Sequence, residues 1–228
     1  MQRNNEKTAS WEIYSNLKAR SPIIARADGR GFKKILEGCK KPYDMDFARS
    51  MVDASVRLFE DSGLTPSLAF TFSDEISLIF LEAPFAGRIE KIDSVVAGLI
   101  SGALSMAMGR VVSMDCRVVS VCKAEIVEYL TDRQEETWRN HVFSYGFYML
   151  LEEGLTNTQA MDQLRNMRDF EIHELVFRKG VNLAKTPAWE RRGVLVYRKD
   201  GELVQNWDLP LFKSEEGCIL IDRLIIGN

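Results

Sequence analysis

Residues 68–81 have the sequence LAFTFSDEISLIFL, in which two short apolar segments flank the acidic tip Ser73-Asp74-Glu75. Both segments are rich in aromatic and branched residues, which predicts two strands joined as a hairpin. An acidic pair at such a tip has two interpretations. It is either a solvated turn, or a place where carboxylates hold a divalent metal ion near a phosphate chain.

A second stretch supplies another carboxylate. Residues 22–34 have the sequence PIIARADGRGFKK, in which an apolar strand ends at Asp28. Gly29 and Gly31 follow at alternate positions and allow backbone N–H groups to approach an anion closely. The loop also carries three basic residues, Arg30, Lys33 and Lys34. Two carboxylates at strand ends beside a cationic glycine loop fit two-metal nucleotidyl transfer, and the alternative is an ordinary strand-to-helix turn.

The order of the predicted elements indicates an α+β fold. The strand ending at Asp28 is followed by a helix from Asp44 or Asp46 to about Ser62, the hairpin, a helix over Val95–Met108 and a strand over Arg117–Cys122. This βαββαβ order is that of the ferredoxin-like unit found in polymerase palms and nucleotide cyclases. In that unit the first strand and the hairpin lie side by side, so we expect Asp28 and Asp74 to meet.

The remaining segments are predicted to be mainly helical. Expected elements are a short helix over Ser10–Leu17, helical regions over Glu125–Tyr129 and Gln134–Glu153, short helices from Thr158 and over Glu171–Phe177, a hairpin over residues 193–207 with a type I′ turn at Asp200-Gly201, and a last strand over Cys218–Ile226. Residues 1–9 are expected to be frayed. Small residues such as Gly98 and Gly102 are expected to let their helix approach the sheet closely.

Composition narrows the class of protein. The chain has 228 residues and a net charge of −3, so a nucleic-acid partner would have to meet locally clustered basic residues. The four cysteines form no Cys-x-x-Cys pair, which argues against a zinc site and suits free thiols in a reducing cytoplasm. The polar N-terminus does not resemble a signal peptide, and the apolar run over residues 95–108 is shorter than the roughly 20 residues of a membrane span.

These motifs resemble those of the tRNA-His guanylyltransferase family, the reverse (3′-to-5′) nucleotide polymerases. RADGRGFKK at residues 26–34 and FTFSDEISLIF at residues 70–80 are similar to the two signature motifs of the family. The resemblance continues through Lys41-Pro42-Tyr43-Asp44, residues 115–119 and residues 174–180, and it points to the archaeal-type guanylyltransferase-like members.

The resemblance implies an activity. Family members add a nucleotide to the 5′ end of the tRNA acceptor stem. The 3′-hydroxyl of the incoming nucleotide attacks a 5′ end that carries a triphosphate or has been adenylylated by ATP. The implied cofactors are two Mg²⁺ ions per active site, with GTP or another nucleoside triphosphate and ATP as substrates. The implied assembly is a homotetramer or dimer of dimers.

The motifs and the clustered charges also predict site residues. Asp28, Asp74 and Glu75 are the candidate catalytic residues, and Asp28, Asp74 and the Gly29 carbonyl are the candidate metal ligands. The candidate nucleotide-binding residues are Asp28, Gly29, Arg30, Gly31, Phe32, Lys33, Lys41, Ser73 and Asp74. The candidate tRNA-binding residues are Arg133, Arg139, His141, Arg178, Lys179, Arg191 and Arg192. Residues 1–124 would form the catalytic core, and residues 125–228 would serve tRNA binding and oligomerisation within one compact unit.

One stretch departs from the family pattern. Eukaryotic members carry His-Ile-Asn-Asn-Leu-Tyr-Asn, whereas residues 141–147 here are HVFSYGF. Loss of the asparagines favours templated repair of 5′-truncated tRNA, with G addition to tRNA-His as a special case. The alternatives are a palm-type nucleotide cyclase and a tRNA-binding protein whose palm has lost catalysis.

Overall fold

The computed structural model describes residues 11–226, with the side chain of Ile226 excepted. The strands are β1 (Ile23–Gly29), β2 (Leu68–Phe72), β3 (Glu75–Phe80), β4 (Met114–Ser120), β5 (Val194–Lys199) and β6 (Glu202–Asn206). The α-helices of this part of the chain are α1 (Phe32–Ile35), α2 (Met45–Glu60), α3 (Ile89–Met108), α4 (Glu125–Glu152), α5 (Asn157–Arg165), α6 (Asp169–Arg178), α7 (Ala188–Arg192) and α8 (Glu215–Ile226).

The strands form one antiparallel sheet in the order β4-β1-β3-β2-β5-β6. The four strands β4-β1-β3-β2, with α2 and α3 as crossovers, have the order of the ferredoxin-like unit, which confirms the predicted fold class. The hairpin of β5 and β6 extends this sheet, since Thr71 of β2 pairs with Val194 of β5. Its turn residues Asp200 and Gly201 have φ of 53° and 86°, as a type I′ turn requires.

Both faces of the sheet are covered. Alternate residues of β1 show this directly, because Ile23 and Ala25 pack in the cluster with α2 and α3 while Ile24 packs with α4 and α8. A strand buried on both sides needs apolar residues at nearly every position, which explains the continuous apolar runs around Ser73-Asp74-Glu75. A third cluster joins the second half of α4 to α5 and α6.

The predicted last strand is wrong, because residues 215–226 form α8. Ile221, Leu224 and Ile225 are buried at helical spacing, whereas Asp222 and Arg223 between them are exposed. The run of β-branched residues favoured a strand, but only a period near 3.6 places those three side chains on one face. At the other end of the chain, residues 11–17 form turns and not the predicted helix. The predicted cap Ser10 and the predicted frayed segment 1–9 lie outside the described residues.

Helix boundaries also differ from the prediction. The two helical regions expected after residue 124 are one helix, α4. Thr156, and not Thr158, caps α5, where its side chain and that of Gln159 form a capping box.

By length and composition, α3 is the one described helix apolar enough to cross a membrane. Ile92, Val96, Ile100 and Leu104 of α3 are buried against the sheet, and the other residues of this helix are partly or fully exposed. Gly98 and Gly102 are exposed and face away from the sheet, so the expectation that they allow close approach to it is wrong.

Candidate active site

The sheet register brings the two signature motifs together. Asp28 at the end of β1 pairs with Glu75 of β3 on one side and with Asp115 of β4 on the other. Asp74 precedes Glu75 in the hairpin turn, so its carboxylate lies beside Gly29. A Cβ atom at position 29 would lie 2.7 Å from Asp74 Oδ2 and 2.3 Å from a ring carbon of Phe32. Only glycine fits between these two side chains.

The turn that carries Asp74 is held in an uncommon conformation. Ser73 has a φ of 49°, in the left-handed region, and its hydroxyl donates to Asp74 Oδ1 at 3.0 Å. Burial raises the pKa of Asp74, and the nearby charge of Asp28 raises it further. When two carboxylates lie close together, the charge of each makes ionisation of the other less favourable. A bound cation would offset this repulsion, so the pair forms a candidate cation site.

The donor set fits magnesium. No group of three or more His, Cys, Asp or Glu side chains is arranged to hold a metal ion within residues 11–226. The site instead offers the carboxylates of Asp28 and Asp74 and the backbone oxygen of Gly29. Mg²⁺ is usually bound by one or two carboxylates together with water and substrate phosphates, so these oxygen donors suit it.

The glycine loop begins α1. Gly31 has a φ of 68° and stands at the N-cap, while Phe32 is buried and packs on Phe47 with ring centroids 5.9 Å apart. Arg30 and Lys33 are exposed. The backbone N–H of Arg30 donates to the Ser113 carbonyl at 2.9 Å. This amide is therefore not among the backbone N–H groups of the glycine loop that could bind an anion.

Glu75 is held by residues of the helical extension. Arg133 of α4 donates from Nη1 to Glu75 Oε2 at 3.0 Å, and the two side chains are 14% and 11% exposed. Arg133 also contacts Glu136. Ser77 lies 3.4 Å from Glu75 Oε1 and 2.9 Å from the Tyr129 hydroxyl, which adds a second link to α4. Burial raises the pKa of Glu75, and the charge of Arg133 opposes that rise.

The tRNA contact predicted for Arg133 therefore does not fit the structure. Its guanidinium is enclosed and shared between two carboxylates. The polar residue Ser77 inside an apolar strand was the one local signal that a polar group packs on this face, but it did not identify Tyr129 or Arg133 as the partners.

A cavity of about 270 Å³ opens beside the hairpin tip. It lies between the palm and α4, and its lining includes Ser73, the Lys41–Asp44 segment, Asn140, Tyr148 and Trp189. Lys41 donates from Nζ to the Leu36 carbonyl at 2.7 Å and lies 5.5 Å from the ring centroid of Tyr148. Asp44 caps α2 and accepts from the Lys40 amide at 2.8 Å, which fixes this loop. The structure thus places Ser73 and Lys41 on one cavity.

His141 lies in the interior behind this cavity. Its side chain is fully buried, with ring centroids 5.4 Å from Tyr43 and 4.8 Å from Tyr145. Nε2 lies 3.0 Å from the Thr186 hydroxyl, which itself donates to the Leu183 carbonyl, so Nε2 is the donor in this pair. The tRNA contact predicted for His141 does not fit, because these side chains enclose the ring.

The burial of His141 makes stability depend on pH. Desolvation by burial lowers its pKa from 6.5 to about 4. As the pH falls, His141 therefore takes up a proton in the unfolded chain before it does so in the folded chain. The contribution of neutral His141 to the free energy of unfolding is fully present above about pH 6.5 and is lost as the pH falls towards 4. At about 1.4 kcal/mol per pKa unit, we expect His141 to account for a loss of about 3 kcal/mol in the free energy of unfolding between pH 7 and pH 4.

Urea unfolding between pH 7 and pH 4 measures this loss. The free energy of unfolding of the His141→Gln variant is expected to fall less steeply with decreasing pH than that of the wild type. His173→Gln, at a partly exposed position on α6, is the control and should keep the wild-type slope. Parallel curves for wild type and His141→Gln would contradict the assignment.

The other predicted tRNA-binding residues form two separate groups. Arg139, Arg191 and Arg192 line a cleft of about 440 Å³ on the outer side of α4. Arg178 and Lys179, at the end of α6, are exposed and form ion pairs with Glu174 and Glu153 respectively. The two groups remain candidates for RNA contacts.

Comparison with known proteins agrees with the motifs. A family model described as tRNAHis guanylyltransferase matches residues 5–130, and a model described as Thg1 C terminal domain matches residues 124–217. The chain is 30% identical over 210 residues to a probable tRNA(His) guanylyltransferase of Drosophila melanogaster, covering 84% of this chain and 73% of that protein. It is 27% identical over 217 residues to tRNA(His) guanylyltransferase of Schizosaccharomyces pombe, covering 89% and 82%.

The fold also has a solved counterpart. A bacterial tRNA(HIS) guanylyltransferase (Thg1)-like protein, determined in complex with ATP, superposes with a TM-score of 0.82 at 20% identity, over 97% of this chain and 98% of that chain. The family models span most of the sequence, including both signature motifs and the extension that positions Glu75. The chain therefore belongs to the tRNA-His guanylyltransferase family of enzymes.

Proposed function

We propose that this enzyme adds nucleotides in the 3′-to-5′ direction to the 5′ end of tRNA, by metal-assisted nucleotidyl transfer. The observation that carries the proposal is the approach of the Asp74 carboxylate to Gly29, where a Cβ atom would lie 2.7 Å from Asp74 Oδ2, next to Asp28, whose charge acts on Asp74. A palm fold with two carboxylates at the ends of neighbouring strands suits transfer of a phosphoryl-linked group.

Asp28, Asp74 and the Gly29 carbonyl would hold two Mg²⁺ ions. When bound, such ions supply an activated hydroxyl and stabilise the charge of the leaving group. Around them Ser73 orients Asp74 through its hydroxyl. The exposed side chains of Arg30 and Lys33 place positive charge next to the carboxylates, where a triphosphate would bind.

The cavity beside Ser73 suits the nucleoside part of a substrate. It is lined by Ser73, the neighbour of Asp74, and partly by aromatic side chains, and it carries Lys41 at its edge. Related bacterial Thg1-like proteins have been solved in complex with ATP and with GTP. We assign ATP and GTP, or another nucleoside triphosphate, to this chain as substrates on that basis.

The tRNA substrate is proposed to be a 5′-truncated tRNA that is repaired against its template strand, with G addition to tRNA-His as a special case. The departure at residues 141–147 supports this choice. His141 is buried, and Phe143 and Phe147 stack in the helical cluster with ring planes inclined by 10°. These side chains are engaged in packing, and Phe143 also lines the cavity beside Ser73. We further propose a homotetramer or dimer of dimers in the cytoplasm.

A 5′-extension assay tests the proposed function. The substrates are tRNA lacking its first nucleotide, with a 5′-triphosphate or with a 5′-monophosphate plus ATP, together with each nucleotide and Mg²⁺. We expect addition of the nucleotide complementary to the opposite strand.

Addition of G alone, to full-length tRNA-His alone, would contradict templated repair and indicate a dedicated guanylyltransferase. A cyclic product from nucleotides without tRNA would indicate a cyclase. Tight tRNA binding without any addition would indicate a binding protein.

A further inference from the structure

A second cleft lies on the side of α4 that faces away from the catalytic cavity. Its volume is about 440 Å³, and α4, α7 and the segment that precedes α8 form its walls. The lining of this cleft includes four basic and two acidic residues. The basic residues are Arg139, Arg191, Arg192 and Lys213, and the acidic residues are Glu135 and Asp169. Lys213 and Glu135 form an ion pair at 2.9 Å, so the remaining charge of the cleft is positive.

The walls of this cleft are held in place by one buried amide. Gln134 of α4 is 4% exposed and makes three hydrogen bonds to the backbone around it. Its Nε2 donates to the carbonyls of Arg192 at 3.3 Å and Pro210 at 3.0 Å, and its Oε1 accepts from the Phe212 amide at 2.8 Å. A buried amide with all these partners fixes three chain segments relative to one another, so the cleft is preformed.

Two neighbouring guanidinium groups point to an anionic ligand. Arg191 donates to the Thr186 carbonyl at 3.0 Å, and Arg192 donates to the Leu209 carbonyl at 2.7 Å. Within residues 11–226, neither has an acidic side chain within 4.0 Å. Burial lowers the pKa of Arg191 and the charge of Arg192 lowers it further, while the charge of Asp208 opposes this fall. Carbonyl contacts orient both side chains without supplying a counter-charge, so a phosphate between them would relieve their repulsion.

Two apolar side chains, Trp138 and Leu211, also line the cleft. Trp138 is half-buried, and its ring lies 5.7 Å from that of His141, which fixes its orientation. Leu211 is 42% exposed at the rim. A flat aromatic ring and an aliphatic side chain in a cleft with excess positive charge suit a nucleobase and its phosphate.

The two cavities are close neighbours in the chain. Glu190 of α7 lines the catalytic cavity, and the next residue, Arg191, lines the second cleft. On α4, Thr137 lines the first and Trp138 the second. The helices α4 and α7 thus each contribute residues to both cavities.

We propose that this cleft binds an unpaired nucleotide of the RNA substrate, with the phosphate between Arg191 and Arg192 and the base against Trp138 and Leu211. The proposal rests on the proposed function, because tRNA supplies the ligand. It extends that function by assigning a contact for single-stranded RNA, because an unpaired base exposes the face that would stack on Trp138.

Fluorescence anisotropy with a 5′-phosphorylated, single-stranded hexaribonucleotide tests the proposal. The full-length protein is titrated at several salt concentrations with saturating GTP present, so that occupation of the catalytic cavity does not contribute. We expect the single strand to bind at least about fivefold more tightly than a blunt RNA duplex of the same length.

Three variants separate the phosphate contact from the base contact. Arg139→Ala/Arg191→Ala should weaken binding about tenfold and reduce the slope of log affinity against log salt by about one to two. Leu211→Ser should weaken binding about threefold to fivefold with an unchanged slope, because it removes apolar surface and no charge. Arg165→Ala/Arg168→Ala removes the same charge from exposed positions on α5 and before α6, and should behave as wild type.

Several results would overturn the proposal. One is equal loss in the two double-arginine variants, which would mean that only net charge matters. Another is equal affinity for duplex and single strand, and a third is full competition by inorganic phosphate at millimolar concentration. Failure of the 5′-extension assay with normal hexanucleotide binding would instead disprove the proposed reaction and leave this cleft assignment standing.

Discussion

Replacement of Asp74 by asparagine is expected to reduce nucleotidyl transfer to tRNA by at least about a thousandfold, equivalent to about 4 kcal/mol of transition-state stabilisation. The asparagine keeps the size of the side chain but removes the charge that would hold a divalent ion. The same loss is expected for Asp28→Asn, since the charge of Asp28 acts on Asp74 and both carboxylates are proposed metal ligands. Single-turnover rates at saturating Mg²⁺ and nucleotide measure the effect, and Asp53→Asn, at an exposed position on α2, is the control.

The same variant has an opposite expected effect on stability. Burial and the charge of Asp28 raise the pKa of Asp74 in the folded chain. A carboxyl with a raised folded-state pKa stabilises the fold only at low pH, and this contribution is lost as pH rises through the folded-state pKa. Near pH 7, without metal, Asp74→Asn should therefore melt at the wild-type temperature or above it. A lower melting temperature would mean that the activity was lost through unfolding and not through loss of the ligand.

Replacement of Arg133 by methionine is expected to lower the free energy of unfolding by about 3–5 kcal/mol. The variant leaves Glu75 without its ion-pair partner at a position where the carboxylate side chain is 11% exposed. An unpaired buried charge costs far more than the loss of a surface ion pair. Urea denaturation measures the change, and Arg178→Met, which breaks an exposed pair with Glu174, is the matched control with an expected change below about 1 kcal/mol.

A double variant identifies the origin of that loss. Arg133→Met/Glu75→Gln removes both charges, so most of the lost stability should return. If the two single changes instead add, Arg133 stabilises the protein through packing and not through Glu75. Transfer activity of Glu75→Gln then shows separately whether the charge of Glu75 is needed for the reaction. A variant that is stable and inactive would support a catalytic role beyond positioning.

The hairpin and the strand before Asp28 could be predicted because their signals are local. Apolar runs with turn residues at fixed places define the strands, and the βαββαβ order then places Asp28 beside Asp74 by the rules of the fold. The apolar run of residues 218–226 misled the prediction for the same reason. Its residue types favour a strand, and only packing on the sheet through Ile221, Leu224 and Ile225 identifies it as a helix.

The candidate tRNA-binding residues illustrate the limit of local signals. From the sequence, Arg133 and Arg139 were both predicted to bind tRNA, because both are basic residues on one helix. In the structure Arg139 lines an open cleft, while Arg133 is enclosed with a carboxylate 58 residues away in the chain. His141 likewise matches the family histidine in sequence, yet the rings of Tyr43 and Tyr145 bury it.

Sequence alone was sufficient for the class of fold and for the expectation that Asp28 and Asp74 meet, because strand order requires only local signals and their spacing. Tertiary structure was needed to find the partner of Glu75, the neutral interior position of His141 and the cleft behind α4. The free energy of a charged or polar side chain depends on its solvation and on the groups that surround it. Those groups come from remote segments, and they meet only when the helical extension packs against the sheet.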